Sequence, residues 1–457
     1  MKTNRYNIII TVIFIVLVNG CASISTNVNF YTPILTDLKR GDYNLAAIKI
    51  DNAELEGEYA DKDRVLLHLD KGIIYHYEGD YKRSSEELTK AEDAIDELYT
   101  KSISKGAMSI LLNDNALAYS GEVYENLYIN IFKAINYLKL KDFDGAYVES
   151  QKVNNKLKYY EVKLEEEVAS LNSSEDQEFK IEAADLDYYS NALSHYISHL
   201  IYRADGSYDG SRISLDKLKE AWQTYPDVYN FEMPAAVSNT TSERGTYLNI
   251  LAFTGTGPSK EPIGARITTF NDYVIISDPT EFHIQPIIIP GIKYGWNFKF
   301  EFPTLHEEGT EVYDIEVYIN GEKYGELELL ENMSSVARKT FESNKSLIFF
   351  KTITRAIAKG ISSSALGRTI KKEADGLFGD ILAGIANAAV DATENADLRS
   401  WRTMPGYSFV GEYDLEPGKY NIEIRFLGGN GNILSKKVVE NFTITRGLNL
   451  IEAVHLN

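Results

Sequence analysis

The sequence predicts an α+β chain. An irregular helical repeat domain covers residues 30–230, and a β-sandwich-like domain covers 231–333 and 397–457, interrupted by a helical insertion over 334–396. Two patterns predict this. From Phe30 to Pro226 apolar residues recur at helical spacing and one short phrase returns four times; beyond Pro226 the period changes to alternation between turn residues. Composition agrees, since 44% apolar and 25% charged residues in a chain of 457 suit globular domains with full-sized cores.

The N-terminus reads as an export signal. Lys2 and Arg5 precede an apolar run from Ile8 to Val18, and the string LVNGC closes at Cys21. The run is too short to span a bilayer comfortably, so residues 1–20 are expected to be removed. Cys21 is the only cysteine, so no disulfide within the chain competes for it. The string resembles a bacterial lipobox. That resemblance implies cleavage before Cys21, diacylglycerol on its sulfur, acylation of its new amino group by a fatty acid such as palmitate, and a chain anchored through residues 21–29. Ala22 stands where an inner-membrane retention signal carries Asp, which implies the outer membrane in a host with two membranes, facing the periplasm.

The repeated phrase reads Gly41-Asp42-Tyr43 with Ala46, Gly79-Asp80-Tyr81 with Ser84, Lys141-Asp142-Phe143 with Ala146, and Gly206-Ser207-Tyr208 with Ser211. Each copy sets a small residue five positions after the turn residue, as between the two helices of a tetratricopeptide unit. Gly72, Tyr75, Leu88 and Ala91 complete the pattern around the second copy. The spacing widens along the chain beyond the ~34 residues of a strict tandem array, so the later units are expected to use longer helices, Ile110 to Leu140 and Phe143 to Leu171.

Expected strands follow at Thr246–Thr254, Ala265–Ile276, Phe282–Ile289 and Gly295–Phe302. Asn320-Gly321 marks a hairpin, and Pro417-Gly418 and Gly428-Gly431 mark turns before the last strands. The insertion is rich in Gly, Ala and Ser between apolar residues. It is expected to pack as a helical hairpin; the alternative is a membrane-acting segment over 347–391.

A formal charge of −20 repels phosphate backbones, so nucleic acid is not an expected partner. The chain has no nucleophile elbow and no phosphate-binding Gly-rich loop, and it is not expected to be an enzyme. Asp205, Ser207, Asp209 and Asp216 stand at positions 1, 3, 5 and 12 of a calcium-loop spacing with Gly210 at position 6. Arg212 and the short arm of Asp216 depart from that pattern, so no metal or other cofactor is expected, calcium being the ion this spacing would suit. His195 and His199 share a helical face, but Tyr196 lies where a zinc hydrolase carries its Glu.

Polar and aromatic residues crowd the third unit: Asn113, Asp114, Tyr119, Tyr124, Glu125, Tyr128 and Asn136. On the concave face of a repeat array such side chains bind a protein partner. Arg399, Trp401 and Arg402 fall where helix gives way to strand and are expected to lock one element on another.

Several phrases resemble one family. Asn113-Asp114, Tyr124-Glu125, Lys133 to Leu138, Val148-Glu149 and the run Ala396-Asp397-Leu398-Arg399-Ser400-Trp401-Arg402-Thr403-Met404-Pro405 are similar to those of uncharacterised tetratricopeptide-bearing lipoproteins of diderm bacteria. Gln151-Lys152 replaces the family's basic pair. Members are often encoded beside small lipoproteins resembling activators of peptidoglycan synthases, which implies a place in envelope or cell-wall assembly. The expected function is a lipid-anchored periplasmic scaffold that binds an envelope protein. One alternative is a glycan-binding protein or envelope enzyme using aromatics of the β domain such as Tyr294 and Trp296; the other is membrane action through 347–391.

Overall fold

The structure is a computed structural model and describes residues 30–103, 117–171, 191–238, 245–271, 273–277, 287–288, 297–342 and 396–457. It is an α+β protein. Four helix pairs come first: α1 (Tyr31–Arg40) with α2 (Tyr43–Leu55), α3 (Arg64–Glu78) with α4 (Tyr81–Ile103), α5 (Val123–Lys139) with α6 (Phe143–Leu171), and α7 (Ala192–Ala204) with α8 (Tyr208–Thr224).

The repeated phrase sits at the turn of every pair. One residue takes left-handed backbone, at Gly41 (φ 78°), Gly79 (φ 93°), Lys141 (φ 61°) and Gly206 (φ 76°). The next amide donates to the carbonyl five residues back: Asp42 to Asp37, Asp80 to Tyr75, Asp142 to Tyr137 and Ser207 to Tyr202, at 2.8–2.9 Å. This closure satisfies carbonyls that the helix end leaves open. Lys141 is the non-glycine of the four and holds a conformation costing an L-residue about 1–2 kcal/mol. Ala46, Ser84, Ala146 and Ser211 are all buried, where the second helix meets the first. The approach is close at Gly72 and Gly210, where an added Cβ would lie 2.6 Å from the Leu88 and Tyr202 side chains.

The first helices are interior. Twelve of 15 residues in α3, 14 of 17 in α5 and 10 of 13 in α7 are buried, against four of 13 in α2 and four of 17 in α8. So α3, α5 and α7 are covered on two sides. The expected helix from Ile110 to Leu140 is shorter at its N-terminal end: Glu122 and Glu125 form a capping box and α5 begins at Val123.

After the short helix α9 (Ala235–Ser238) come the strands β1 (Tyr247–Thr256), β2 (Ser259–Phe270), β3 (Tyr273–Ser277), β4 (Ile287–Ile288), β5 (Asn297–His306), β6 (Val312–Ile319), β7 (Glu322–Glu326), β8 (Glu328–Asn332), β9 (Pro405–Asp414), β10 (Gly418–Gly428), β11 (Ile433–Ile444) and β12 (Leu448–His455). They make three sheets, ordered β12-β1-β9-β8, β11-β10-β6-β7 and β4-β3-β2-β5. In the first sheet β1 runs parallel to β12 and antiparallel to β9.

Side-chain alternation along β1 sets the layers. Leu251 and Phe253 join the helical core with Leu450 and Val454 of β12, whereas Leu248, Ile250 and Ala252 meet Val317, Ile422 and Phe426 of the second sheet. Every residue of β1 is buried because both faces are covered. The apolar cluster filling the helices continues through Leu251, Leu330, Trp401 and Met404, with no break near residue 230.

The Asn320-Gly321 hairpin joins β6 to β7, with φ of 52° and 90° at the two turn residues and Ile319 opposite Glu322. The expected strand Ala265–Ile276 is two strands, since the chain reverses between Phe270 and Tyr273, which pair with each other. Asn271-Asp272 supplies turn chemistry that the apolar run around it obscured. The Pro417-Gly418 turn carries the chain from the first sheet to the second instead of closing a hairpin. Of the expected insertion, residues 334–342 are helical, in a helix that starts at Met333, and 343–395 lie outside the described residues. Among the described residues no helix is long and apolar enough to cross a membrane.

Candidate functional site

Four carboxylates are buried between the helices and the first sheet: Asp70 on α3, Glu125 on α5, Glu331 on β8 and Glu452 on β12. A buried carboxylate without donors is strongly destabilising, so each position demands partners from other elements. Asp70 accepts from the hydroxyls of Tyr31 and Tyr59, both at 2.7 Å, and from Thr403 at 2.6 Å. Glu125 accepts from the Tyr119 hydroxyl (2.6 Å), the Glu122 amide (2.9 Å) and the Trp401 amide (2.7 Å). Glu331 accepts from Tyr128, from Tyr229 (3.0 Å) and from the Leu193 amide (3.2 Å). Glu452 meets His76 Nε2 at 2.6 Å and Lys139 at 3.3 Å, and His76 Nδ1 meets Asn136 Oδ1 at 2.6 Å.

Two of these carboxylates hold the segment that leads out of the insertion. Residues 396–405 lie against the helices as a strap. Arg399 donates to Asp63 (2.7 Å), to the Leu117 carbonyl (3.0 Å) and, through Nε and Nη2, to Asp397 (2.8 and 2.7 Å). Its guanidinium also lies 5.1 Å from the centre of the Tyr119 ring. Trp401 is wholly buried and meets Phe132 edge-on at 6.2 Å. The Tyr77 hydroxyl donates to the Thr403 carbonyl at 3.1 Å, and the Gly257 amide donates to the Met404 carbonyl. Arg402 lies 6.0 Å from the Tyr31 ring and reaches the Leu398 carbonyl at 3.5 Å. Planar cations and an indole thus join helix to strand at this junction.

The enclosure shifts the carboxyl equilibria in opposite directions. Burial pushes Asp70 up to about 6, against the pull of its hydroxyl donors. Burial, then the charge of Glu122, pushes Glu125 up to about 7. Burial opposes the ionisation of Glu452 as well, but His76 and Lys139 outweigh it and hold that carboxyl down at about 2. A raised folded-state value means that the folded chain keeps a proton the unfolded chain has lost. Stability from Asp70 and Glu125 is therefore full below about pH 4 and is lost as pH rises through 6 to 7. Stability from Glu452 is present above about 4.5 and is lost as pH falls through about 2. Burial of neutral His195 and His199 adds stability as pH rises from about 4 to 6.5 and offsets the loss from Asp70 and Glu125, so urea unfolding should show the wild type losing stability between about pH 4 and 7 relative to Asp70→Asn with Glu125→Gln. An unchanged slope in that double variant contradicts the assignment.

The expected partner-binding side chains fall inside the protein. Tyr119, Tyr124, Glu125, Tyr128 and Asn136 are buried and bonded to neighbours, so they line a helix–sheet interface and not an open concave face. Asn113, Asp114, Cys21, Tyr294 and Trp296 lie outside the described residues. Of the calcium-loop residues, Asp205 and Ser207 stand at the turn, while Asp209 and Asp216 are exposed on α8, each facing Arg212, at 3.7 and 3.4 Å. Helix thus replaces the loop that would gather them. Among the described residues no group of three His, Cys, Asp or Glu is arranged to hold a metal ion. His195 and His199 are buried; His199 Nδ1 meets Ser211, and burial lowers both imidazoles to about 4.

Two open features remain. A cleft of about 490 Å³ lies between the α7–α8 turn and the first residues of β1 and β12, lined by Arg203, Tyr208, Tyr247 and Arg446 among others. Arg203 is held there by Glu412. The second is α6, 29 residues long, which with its preceding turn exposes Leu140, Phe143, Tyr147, Val148, Tyr159 and Val162. Compared with known proteins, the chain matches no family model, no curated protein and no solved structure.

Sequence reasoning missed Asp70, His76, Glu331 and Glu452. Their signal was a charged or polar residue at a core position: Asp70 and His76 stand among the apolar residues of α3, and Glu452 alternates in register with Leu450 and Val454. Such a residue announces a buried partner without naming it.

Proposed function

We propose that this protein is a lipid-anchored, non-enzymatic scaffold of the bacterial envelope, of the tetratricopeptide-bearing lipoprotein kind its phrases resemble, and that it binds a protein partner. The four helix pairs are read as irregular tetratricopeptide units and the two facing sheets as a β-sandwich. The observation that carries the reading is the distribution of apolar surface. Ligand-like side chains of α5 are committed to internal bonds, while α6 keeps five large apolar residues in solvent and the turn before it a sixth, Leu140. Clusters of that size on a stable helix mark surfaces that partners cover. Partner binding is therefore assigned to the outer side of α6. Recovery from crosslinked envelopes should lose the partner in a Tyr147→Ser, Val148→Ser, Val162→Ser variant that folds normally. Identical recovered proteins count against the assignment.

The cleft beside α7 favours a second reading, an acidic glycan seated between Tyr208, Tyr247 and the guanidinium of Arg446. Cosedimentation with peptidoglycan that Arg446→Glu abolishes supports it. Absence of cosedimentation removes it.

A further inference from the structure

Helix α2 is apolar on two sides, and among the described residues only one of them is covered. Ala46, Ala47, Ile50 and Ala53 pack inward. Leu45, Ile48 and Leu55 lie on the opposite side with 44%, 51% and 83% of their surface exposed. The steps 45, 48, 52, 55 follow one helical face, so these side chains form a stripe broken only by Asn52. Lys39 and Arg40 end α1, exposed and with no ion pair among the described residues.

We propose that this stripe rests on the lipid surface to which the chain is tethered. The inference depends on the reading of Cys21 as the anchor. Nine residues separate Cys21 from Tyr31, and the ten steps between them span at most about 35 Å when fully extended. α1 follows at once and is joined to α2 by two residues. The first helix pair is thus the part of the folded chain held nearest the bilayer, at high effective concentration, where even a small apolar stripe meets lipid repeatedly. Leu and Ile side chains suit the acyl boundary, and because exposed Asp42 and Glu56 offset Lys39 and Arg40 the attraction is apolar and not electrostatic. Contact there fixes which way up the scaffold stands, which attachment at one point alone cannot do.

The test holds the protein on vesicles by a different attachment. The mature chain with Cys21→Ser carries an N-terminal hexahistidine tag and binds phosphatidylethanolamine–phosphatidylglycerol vesicles containing nickel-chelating lipid. With the single native thiol gone, Ile48→Cys, Leu55→Cys and the 79% exposed Tyr313→Cys, on the sheet that the first sheet separates from the helices, each accept one fluorophore. Brominated lipid should quench the probes at 48 and 55 by about half or more and leave the probe at 313 nearly unchanged, as insertion to the acyl boundary requires. Equal quenching at all three sites, or none at 48 and 55, overturns the proposal. The latter is the outcome if residues 22–29 or a second copy cover the stripe. Because the tag replaces the acyl chains, the result is independent of whether Cys21 is lipidated in cells.

Discussion

Arg399→Ala is expected to lower the unfolding free energy by about 3–5 kcal/mol, the cost of breaking a buried ion pair by removing one partner. Asp63 has no exposed surface and Asp397 is largely enclosed, so removing the guanidinium takes from two enclosed carboxylates and the Leu117 carbonyl the cation they share. Burial raises the Asp397 carboxyl, and Arg399 more than compensates, holding it below the usual range. Arg399→Lys should recover only part of the loss, because one ammonium cannot serve three acceptors that a planar fork reaches at once. Asp63→Asn in the Arg399→Ala background should also recover part, since it removes one enclosed charge. Urea unfolding at constant m-value reads all three variants. A loss below about 1 kcal/mol for Arg399→Ala, the range of an exposed pair, would mean that the strap is not sealed by this residue.

Cys21→Ser is expected to move the protein completely from the membrane fraction to the soluble periplasm or to an uncleaved precursor. One acyl chain gives marginal attachment at about 0.8 kcal/mol per buried CH₂, whereas a diacylglycerol with an amide-linked chain holds far more firmly. Folding should be unaffected, since the sole cysteine can form no disulfide within the chain. Labelled palmitate should enter the wild type and not the variant. Retained label, normal processing and an unchanged membrane fraction in the variant would remove the anchor from the proposed function.

The parts of this fold that were legible in sequence are those fixed by local chemistry. Gly41, Gly79 and Gly206 announce left-handed helix ends, and the phrase carried Lys141 into the same role although its side chain disfavours it. Asn320-Gly321 fixed a hairpin for the same reason. What was not legible depends on pairs far apart in sequence. Glu125 and Tyr128 look like a wet helical face until Trp401, 276 residues on, and Glu331, 203 residues on, supply their partners. Composition cannot separate a polar residue that faces water from one bonded inside. At Arg399, Trp401 and Arg402 the side-chain chemistry was readable, since planar cations and an indole pack on partners when enclosed. The carboxylates they meet were not.

The central claim is that helices and sheets form one rigid body, closed by the strap and by the buried carboxylates, so that a partner on α6 is held at a fixed geometry. Native-state hydrogen exchange on the mature protein tests it most directly. Interior amides of α3, α5, β1 and β12 should exchange through a single global opening, with the same free energy and the same denaturant dependence, and Arg399→Ala should lower all four together. Helical amides that open separately from β1 and β12, by a difference of more than about 2 kcal/mol, would contradict the claim and leave two domains joined by a loose interface.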